Sequence, residues 1–254
     1  MAFNLELILV ALTAITGVMS IWYWWQVRND ATLPERTAGG YGEFLRSFFP
    51  VLLLVLVLRS FIFEPFRIPS GSMKPTLLEG DFVFVSKYSY GVRLPLSHTK
   101  LFATSLPQRG DVAVFRKPSK PDDNYIKRVI GLPGDRIEYR QGQLTINGEL
   151  IKLEPAGRFE DERGTRGDVF TEFLPDRPHA VLDIDSRVPR DAVVRVPDNC
   201  YFMMGDNREN STDSRFRSVG CVDEKYLVGR AGRIWFNFEW GRWPRWSRIG
   251  TKIE

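Results

Sequence analysis

Between Leu5 and Trp25 the chain reads LELILVALTAITGVMSIWYWW, and Glu6 is the only charged residue in that run. No other feature limits the fold as much. About 20 such residues cross the hydrocarbon core of a bilayer as an α-helix, which satisfies its own backbone polar groups. The run closes on Trp22, Tyr23, Trp24 and Trp25, an aromatic cluster suited to the membrane–water interface. A cleavable leader would carry a basic start and small residues at the cut. Neither is present, so residues 1–27 read as a retained anchor.

A second apolar run, FLRSFFPVLLLVLVLRSFIF, spans Phe44 to Phe63, with an uninterrupted core only from Phe48 to Leu58. Arg46 and Arg59 flank that core, about 20 Å apart along a helix rising ~1.5 Å per residue, so each can snorkel toward an opposite interface. Pro50 lies near the start, where a helix tolerates it best. A second span over 44–63 is expected. The segment between, 28–43, is a polar loop with Pro34, Gly39, Gly40 and Gly42 as turn formers. Arg28, Arg36 and Arg46 lie in or beside it, whereas no Lys or Arg precedes Leu5. The positive-inside rule then puts the loop in the cytoplasm and residues 64–254 outside. In a bacterium that is the periplasmic or outer face of a multi-pass inner-membrane protein.

The chain has 35 Lys and Arg against 31 Asp and Glu. Both signs are mixed, unlike the basic stripe of a nucleic-acid binder, so nucleic acid is not expected as a partner. The positive excess falls beyond residue 63 and suits an anionic lipid surface. Two cysteines and two histidines offer no familiar metal spacing, and no metal or cofactor is expected. Cys200 and Cys221 either form a bridge, as an oxidising compartment permits, or remain inert thiols.

Beyond residue 63 come short runs rich in β-branched and aromatic residues: DFVFVSKY, DVAVFRKP, YIKRVIGLPGD, QLTINGEL, NCYFMMGD and GRIWFNF. Gly, Pro or Asp punctuate them, and no long amphipathic helix intervenes. The expected fold is mostly β, an antiparallel β domain preceded by two transmembrane α-helices. The Asn147-Gly148 pair is a strong hairpin signal. Residues 136–199 are more charged and proline-rich and read as a peripheral β-rich insertion. Residues 64–135 and 200–254 are left as the core.

The serines of IPSGSMKPTL lie just past the second apolar run, and a serine nucleophile needs a base within hydrogen-bond reach. The Gly-x-Ser-x-Gly elbow is absent, and Ser72 and Lys74 are one residue too close for a Ser-x-x-Lys motif. His98 and His179 sit in turn-like polar segments where solvated rings are expected. A lysine base must lose its charge, which requires burial that lowers the ordinary pKa of ~10.4 by about 3 units. Lys127, in the apolar run NYIKRVIGLPG, suits this, although paired or snorkelling strand lysines share that setting. Lys74, in a turn before Pro75, is expected to be a solvated charge.

Four motifs in order, IPSGSMKPTL, RGDVAVF, YIKRVIGLPGD and MMGDNRENSTDSR, resemble the bacterial type I signal peptidases, or leader peptidases. The resemblance covers residues 61–235 and is weakest in the insertion. It implies a membrane-anchored serine endopeptidase that removes signal peptides after Ala-x-Ala-type ends through an acyl-enzyme. It implies Ser72 as nucleophile, Lys127 as general base, and an oxyanion hole from the Ser70 hydroxyl and the Ser72 N–H. Ser211 would orient Lys127, with Asp213 and Arg215 as a supporting ion pair; Glu209 replaces the family's usual Asp. Arg109 and Asp111 resemble a structural motif at the start of a strand. The implied partners are signal-peptide-bearing precursors, membrane lipids and the secretion translocon.

The substrate is expected to lie extended along Asp81–Val85 and Asn124–Lys127. In the tail, Trp235 and Phe236 are expected in the core, and Trp240, Trp243 and Trp246, set among arginines, at a membrane surface. Two other readings compete. One is a tethered β-domain that captures extended peptides without cleaving them, and the other is a self-cleaving protein built on a related Ser/Lys dyad.

Overall fold

The computed structural model describes residues 5–29, 41–175, 177–184 and 190–253. Most of the loop expected over 28–43, with Pro34, Gly39 and Gly40, lies outside the described residues. Two helices come first, α1 (Leu5–Asn29) and α2 (Tyr41–Val57). The strands in chain order are β1 (Phe63–Arg67), β2 (Asp81–Ser86), β3 (Val92–Arg93), β4 (Lys100–Phe102), β5 (Val112–Lys117), β6 (Lys120–Gly131), β7 (Arg136–Arg140) and β8 (Gln143–Ile146). They continue with β9 (Glu149–Leu150), β10 (Leu153–Glu160), β11 (Arg166–Leu174), β12 (Arg177–Ile184), β13 (Ala192–Arg195), β14 (Cys200–Met204), β15 (Val222–Asp223) and β16 (Leu227–Asn237).

The helices and the β3–β4 hairpin form one compact unit. In α1 the hydroxyls of Thr13, Thr16 and Ser20 donate to the carbonyls of Leu9, Leu12 and Thr16 at 2.7, 2.8 and 2.7 Å. These polar side chains therefore leave no unsatisfied group in an apolar helix. A Cβ on Gly17 would lie 2.8 Å from Phe49 Cε2, so a small residue allows the two helices to approach closely. Among the described residues, Leu5–Gln26 is the one helix long and apolar enough to cross a membrane. The α-helical part of α2 is 17 residues with Pro50 inside it. Leu58–Ile62 then continues as a π-helical turn, and Arg59 pairs with Glu64 at 3.4 Å.

The second unit carries the site. Its main sheet has the order β1-β2-β16-β5-β6-β14-β15, antiparallel from β2 to β15. The alternating burial of β2 follows its Asp-Phe-Val-Phe-Val-Ser pattern, as a strand with one buried face requires. Val83, Val85, Val112, Val114, Ile126 and Ile234 form a core with Ile68, Met73 and Leu77 of the segment around Ser72. Burying Met73 and Leu77, each 0% exposed, contributes roughly 1.5–3 kcal/mol apiece. The turn between them is thereby fixed to the sheet.

Most of the 136–199 segment forms two further sheets, β13-β7-β8-β9 and β10-β11-β12. Asn147 and Gly148 take φ of 53° and 87° and join β8 to β9, as their dipeptide predicts. Ile137, Leu144 and Ile146 share a core with Ile130, Phe202 and Met204 of the main sheet. Cys200 and Cys221 are disulfide-bonded, with Cα atoms 5.7 Å apart.

Several expectations fail in this unit. His179 is buried on β12, opposite Glu172 of β11, because the Arg-Pro-His segment that reads as a turn begins a strand. Burial and Arg128 lower its pKa, so the ring is neutral rather than solvated and titrating. Trp235 is 38% exposed and Phe236 half-buried: Ile234 takes the core position, and alternation turns Trp235 outward. Asp81–Val85 offers no free edge, because β2 lies between β1 and β16.

Candidate active site

Ser72 sits in a single 3-10 turn, Gly71–Met73, between extended Ser70 and extended Lys74. The turn is held from behind by Asn207. Its backbone N–H donates to the Ser72 carbonyl at 3.1 Å, and its side-chain Nδ2 donates to the Gly71 carbonyl at 2.9 Å. Gly205 makes this approach possible, since a Cβ there would stand 2.4 Å from the Ser72 carbonyl oxygen and 2.3 Å from Ser211 Oγ.

Lys127 reaches the same place from β6. Its Nζ lies 2.6 Å from Ser72 Oγ and donates to the Ile126 carbonyl at 2.7 Å. Alternation along the strand sends the next residue, Arg128, to the opposite side. There Arg128 grips Asp206 through two contacts of 2.8 and 2.7 Å, and Asp206 also accepts from Thr76 at 2.6 Å. Lys127 is 4% exposed and Ser72 8%. Burial lowers the Lys127 pKa to about 8, against an upward pull from Asp213 and Asp206. Among the described residues no carboxylate touches the amine directly, so desolvation wins.

Ser70 Oγ stands 3.4 Å from Ser72 Oγ. Arg215 forms a forked pair with Asp213 at 2.9 and 2.8 Å, and Gly205 N donates to Asp213 at 3.0 Å. Burial works to raise the Asp213 carboxyl, but Arg215 outweighs it and holds the group below its ordinary range. Ser211 is buried next to Gly205 and faces the Asp213 carboxyl, which it helps to hold in its charged form. Among the described residues its Oγ makes no contact with Lys127. Glu209 accepts from Ile184 N at 3.2 Å; burial and then Asp183 raise its pKa to about 7. Arg109 pairs with Asp135 at 2.9 Å, and buried Asp111 accepts from Gln108 N and Tyr90 OH. That is the structural role expected of this motif.

A cavity of about 360 Å³ opens over the Ser72–Lys127 pair, lined by Phe66, Pro69, Asn124, Tyr125, Asn210 and Thr212 among others. Among the described residues, the side of β6 that faces it carries no strand at Asn124–Lys127: those residues pair with β5, and β14 joins β6 from Arg128 onward. That side of Asn124–Lys127 can take an added extended peptide.

A hydroxyl and a desolvated amine in contact, beside a peptide-sized cleft with a free strand edge, are the parts of acyl transfer. The comparisons agree. Residues 41–236 match the family described as "Signal peptidase, peptidase S26". The chain belongs to the signal peptidase family. It is 46% identical over 225 residues to Signal peptidase I of Pseudomonas aeruginosa, covering 82% of this chain and 78% of that one. It is 33% identical to Signal peptidase I of Haemophilus influenzae, over 98% of this chain and 92% of the other. Signal peptidase I of Buchnera aphidicola from Acyrthosiphon pisum is 38% identical, over 82% and 80% of the two chains.

In this family member, reading the residues alone missed Gly205, Asn207 and the burial of Lys74. In the sequence the Gly-Asp-Asn run stands only as part of the motif MMGDNRENSTDSR. Its use as a brace for the Ser72 turn depends on a contact between residues 136 positions apart.

Proposed function

We propose that this signal peptidase removes N-terminal signal peptides from exported precursors with Ser72 as nucleophile and Lys127 as general base. The observation that carries this reading is the 2.6 Å contact between Lys127 Nζ and Ser72 Oγ in surroundings that bring the amine to a pKa of about 8. Neutral Lys127 accepts the Ser72 proton as Oγ attacks the carbonyl preceding the cut. The Ser70 hydroxyl and the Ser72 N–H stabilise the oxyanion. The lysinium then gives its proton to the departing amine, and neutral Lys127 activates the water that releases the acyl group. The signal peptide lies extended along Asn124–Lys127, and shallow apolar pockets accept small residues one and three positions before the cut. Asp213 and Arg215 stiffen the loop behind the nucleophile. Ser211 comes to serve Lys127 after a side-chain rotation.

The topology follows the same reading. α1 and α2 with its π turn are two spans, the 28–43 loop is cytoplasmic, and residues 64–254 work on the outer face, with 136–199 an insertion into the core of 64–135 and 200–254. Trp240, Trp243 and Trp246, exposed by 88, 91 and 66%, rest on the lipid surface where signal peptides emerge.

Cleavage of a purified precursor by the Ser72→Ala and Lys127→Ala proteins tests the assignment. Loss of cleavage in both, with folding retained, is expected; cleavage surviving in either overturns it. Binding without cleavage by the unaltered protein would make it a capture module instead. The rate must also fall as pH drops below about 8, because protonation removes the base.

A further inference from the structure

Lys74 lies two positions after Ser72, and acyl transfer has no use for it. Contrary to the solvated charge expected from its turn-like setting, its side chain is 2% exposed. The ammonium contacts Asp161 Oδ2 at 2.6 Å, Glu79 Oε2 at 3.0 Å and Thr165 Oγ1 at 3.0 Å. A Cβ on Gly71 would stand 2.8 Å from Lys74 Cε, 3.0 Å from its Nζ and 2.8 Å from Glu79 Oε1. The cluster is therefore packed directly against the backbone between Ser70 and Ser72, the two residues of the oxyanion hole.

Two of the three acceptors come from the turn joining β10 to β11, with Thr165 lying 91 positions from Lys74. That turn is internally braced. Asp161 Oδ1 accepts from the N–H groups of Arg163 and Thr165 at 3.0 and 2.9 Å. Gly164 N donates to the Asp161 carbonyl at 2.9 Å, and Gly164 supplies the positive φ of 78° the turn needs. Burial opposes ionisation of Asp161, but Lys74 and the two backbone donors hold its carboxyl below the usual range. The outer side of the turn is tied to the tail: Arg163 pairs with Glu239, and Glu162 with Arg242 at 2.8 Å.

We propose that the Asp161–Thr165 turn is a positioning element for acylation. Acting through Lys74, it sets the Ser70–Ser72 backbone against Lys127, while Asn207 holds the same turn from the other side. Lys74 and Asp161 are positioning residues, and the 136–199 segment belongs to the catalytic apparatus. Displacements of about 1 Å in such a support are enough to cost catalysis without weakening binding. This inference rests on the Ser72/Lys127 reading above.

The test uses the full-length protein in detergent with a precursor substrate, comparing Asp161→Asn, Lys74→Met, their double variant and Thr165→Val. Thermal melts fix a temperature at which all are folded. In Asp161→Asn, kcat is expected to fall about tenfold with KM within twofold, because the chemical step loses its geometry and the cleft does not change. The double variant should be no slower than the worse single one, as residues acting through one contact are not additive. Thr165→Val, which removes one bond of the cluster and little else, should lose about two- to threefold in kcat, and Lys74→Arg should recover part of what Lys74→Met loses. Lower melting temperatures with unchanged kcat would make the cluster purely structural and overturn the proposal, as would multiplying effects in the double variant. If Ser72→Ala or Lys127→Ala still cleaves, the parent reading fails. If both abolish cleavage while Asp161→Asn keeps its kcat, only the positioning role fails.

Discussion

Two buried lysines flank the same serine and have opposite surroundings. Lys74 is 2% exposed with carboxylates at 2.6 and 3.0 Å. Lys127 is 4% exposed and meets a hydroxyl and a carbonyl instead. Burial alone does not make a base. It makes one only where the stabilising anions are kept out of contact, so that desolvation decides the charge state. The protein thus places an ion-paired lysine and the proposed base on either side of one turn.

The largest break in this comparison is kinetic. Lys127→Met should lower precursor cleavage by about 10³-fold or more, since it removes the amine that contacts Ser72. Next comes stability, where one substitution should act in opposite directions at the two sites. Lys74→Met leaves Asp161 and Glu79, both half-buried, without their cation and should cost about 1–3 kcal/mol in denaturant unfolding. Lys127→Met should stabilise the protein by up to about 3 kcal/mol at pH 7, the work of burying a charge. The sign follows from linkage. The Lys127 pKa of about 8 in the folded protein lies below its ordinary 10.5. The unfolded chain therefore holds more protons between those values, and stability contributed by this group rises from pH 8 to 10.5. Melts of the two variants across that range would show the slope flattened in Lys127→Met and kept in Lys74→Met.

A smaller effect sharpens the role of the missing anion. Thr212 lines the cavity with Lys127, and Thr212→Asp would supply a carboxylate at its rim. The acid limb of kcat/KM should then move up by about half a pH unit to one unit. Smallest is the tail: Trp243→Ala should weaken partitioning to anionic vesicles by several-fold, read by co-sedimentation, with activity on a soluble peptide unchanged.

Much of this was legible from the residues, because period-two alternation and turn chemistry are local. β2, β5, β6, β14 and β16 lie where their sequences put them, and Asn147-Gly148 makes its hairpin. Ser72 and Lys127, suggested by a resemblance and by the demand for an apolar lysine, come together across 55 positions. Pairings that depend on distant segments were not legible. Nothing near Lys74 announces Asp161, and a turn before proline ordinarily leaves a lysine in water. His179 followed the same logic, with its partner Glu172 on the neighbouring strand. Trp235 failed differently, since hydrophobicity alone assigns indoles to the core while alternation assigns that position to the outer face.

The central claim is that Lys127 gives up its charge near pH 8, well below an ordinary lysine, so that neutral amine is available as a base at working pH. Nitrogen-15 NMR of lysine-labelled protein, with the Lys127 signal assigned by its absence in Lys127→Met, measures this directly. The account predicts titration near pH 8, coincident with the acid limb of kcat/KM. A resonance that stays cationic to beyond about pH 10, as an ordinary lysine does, would contradict it.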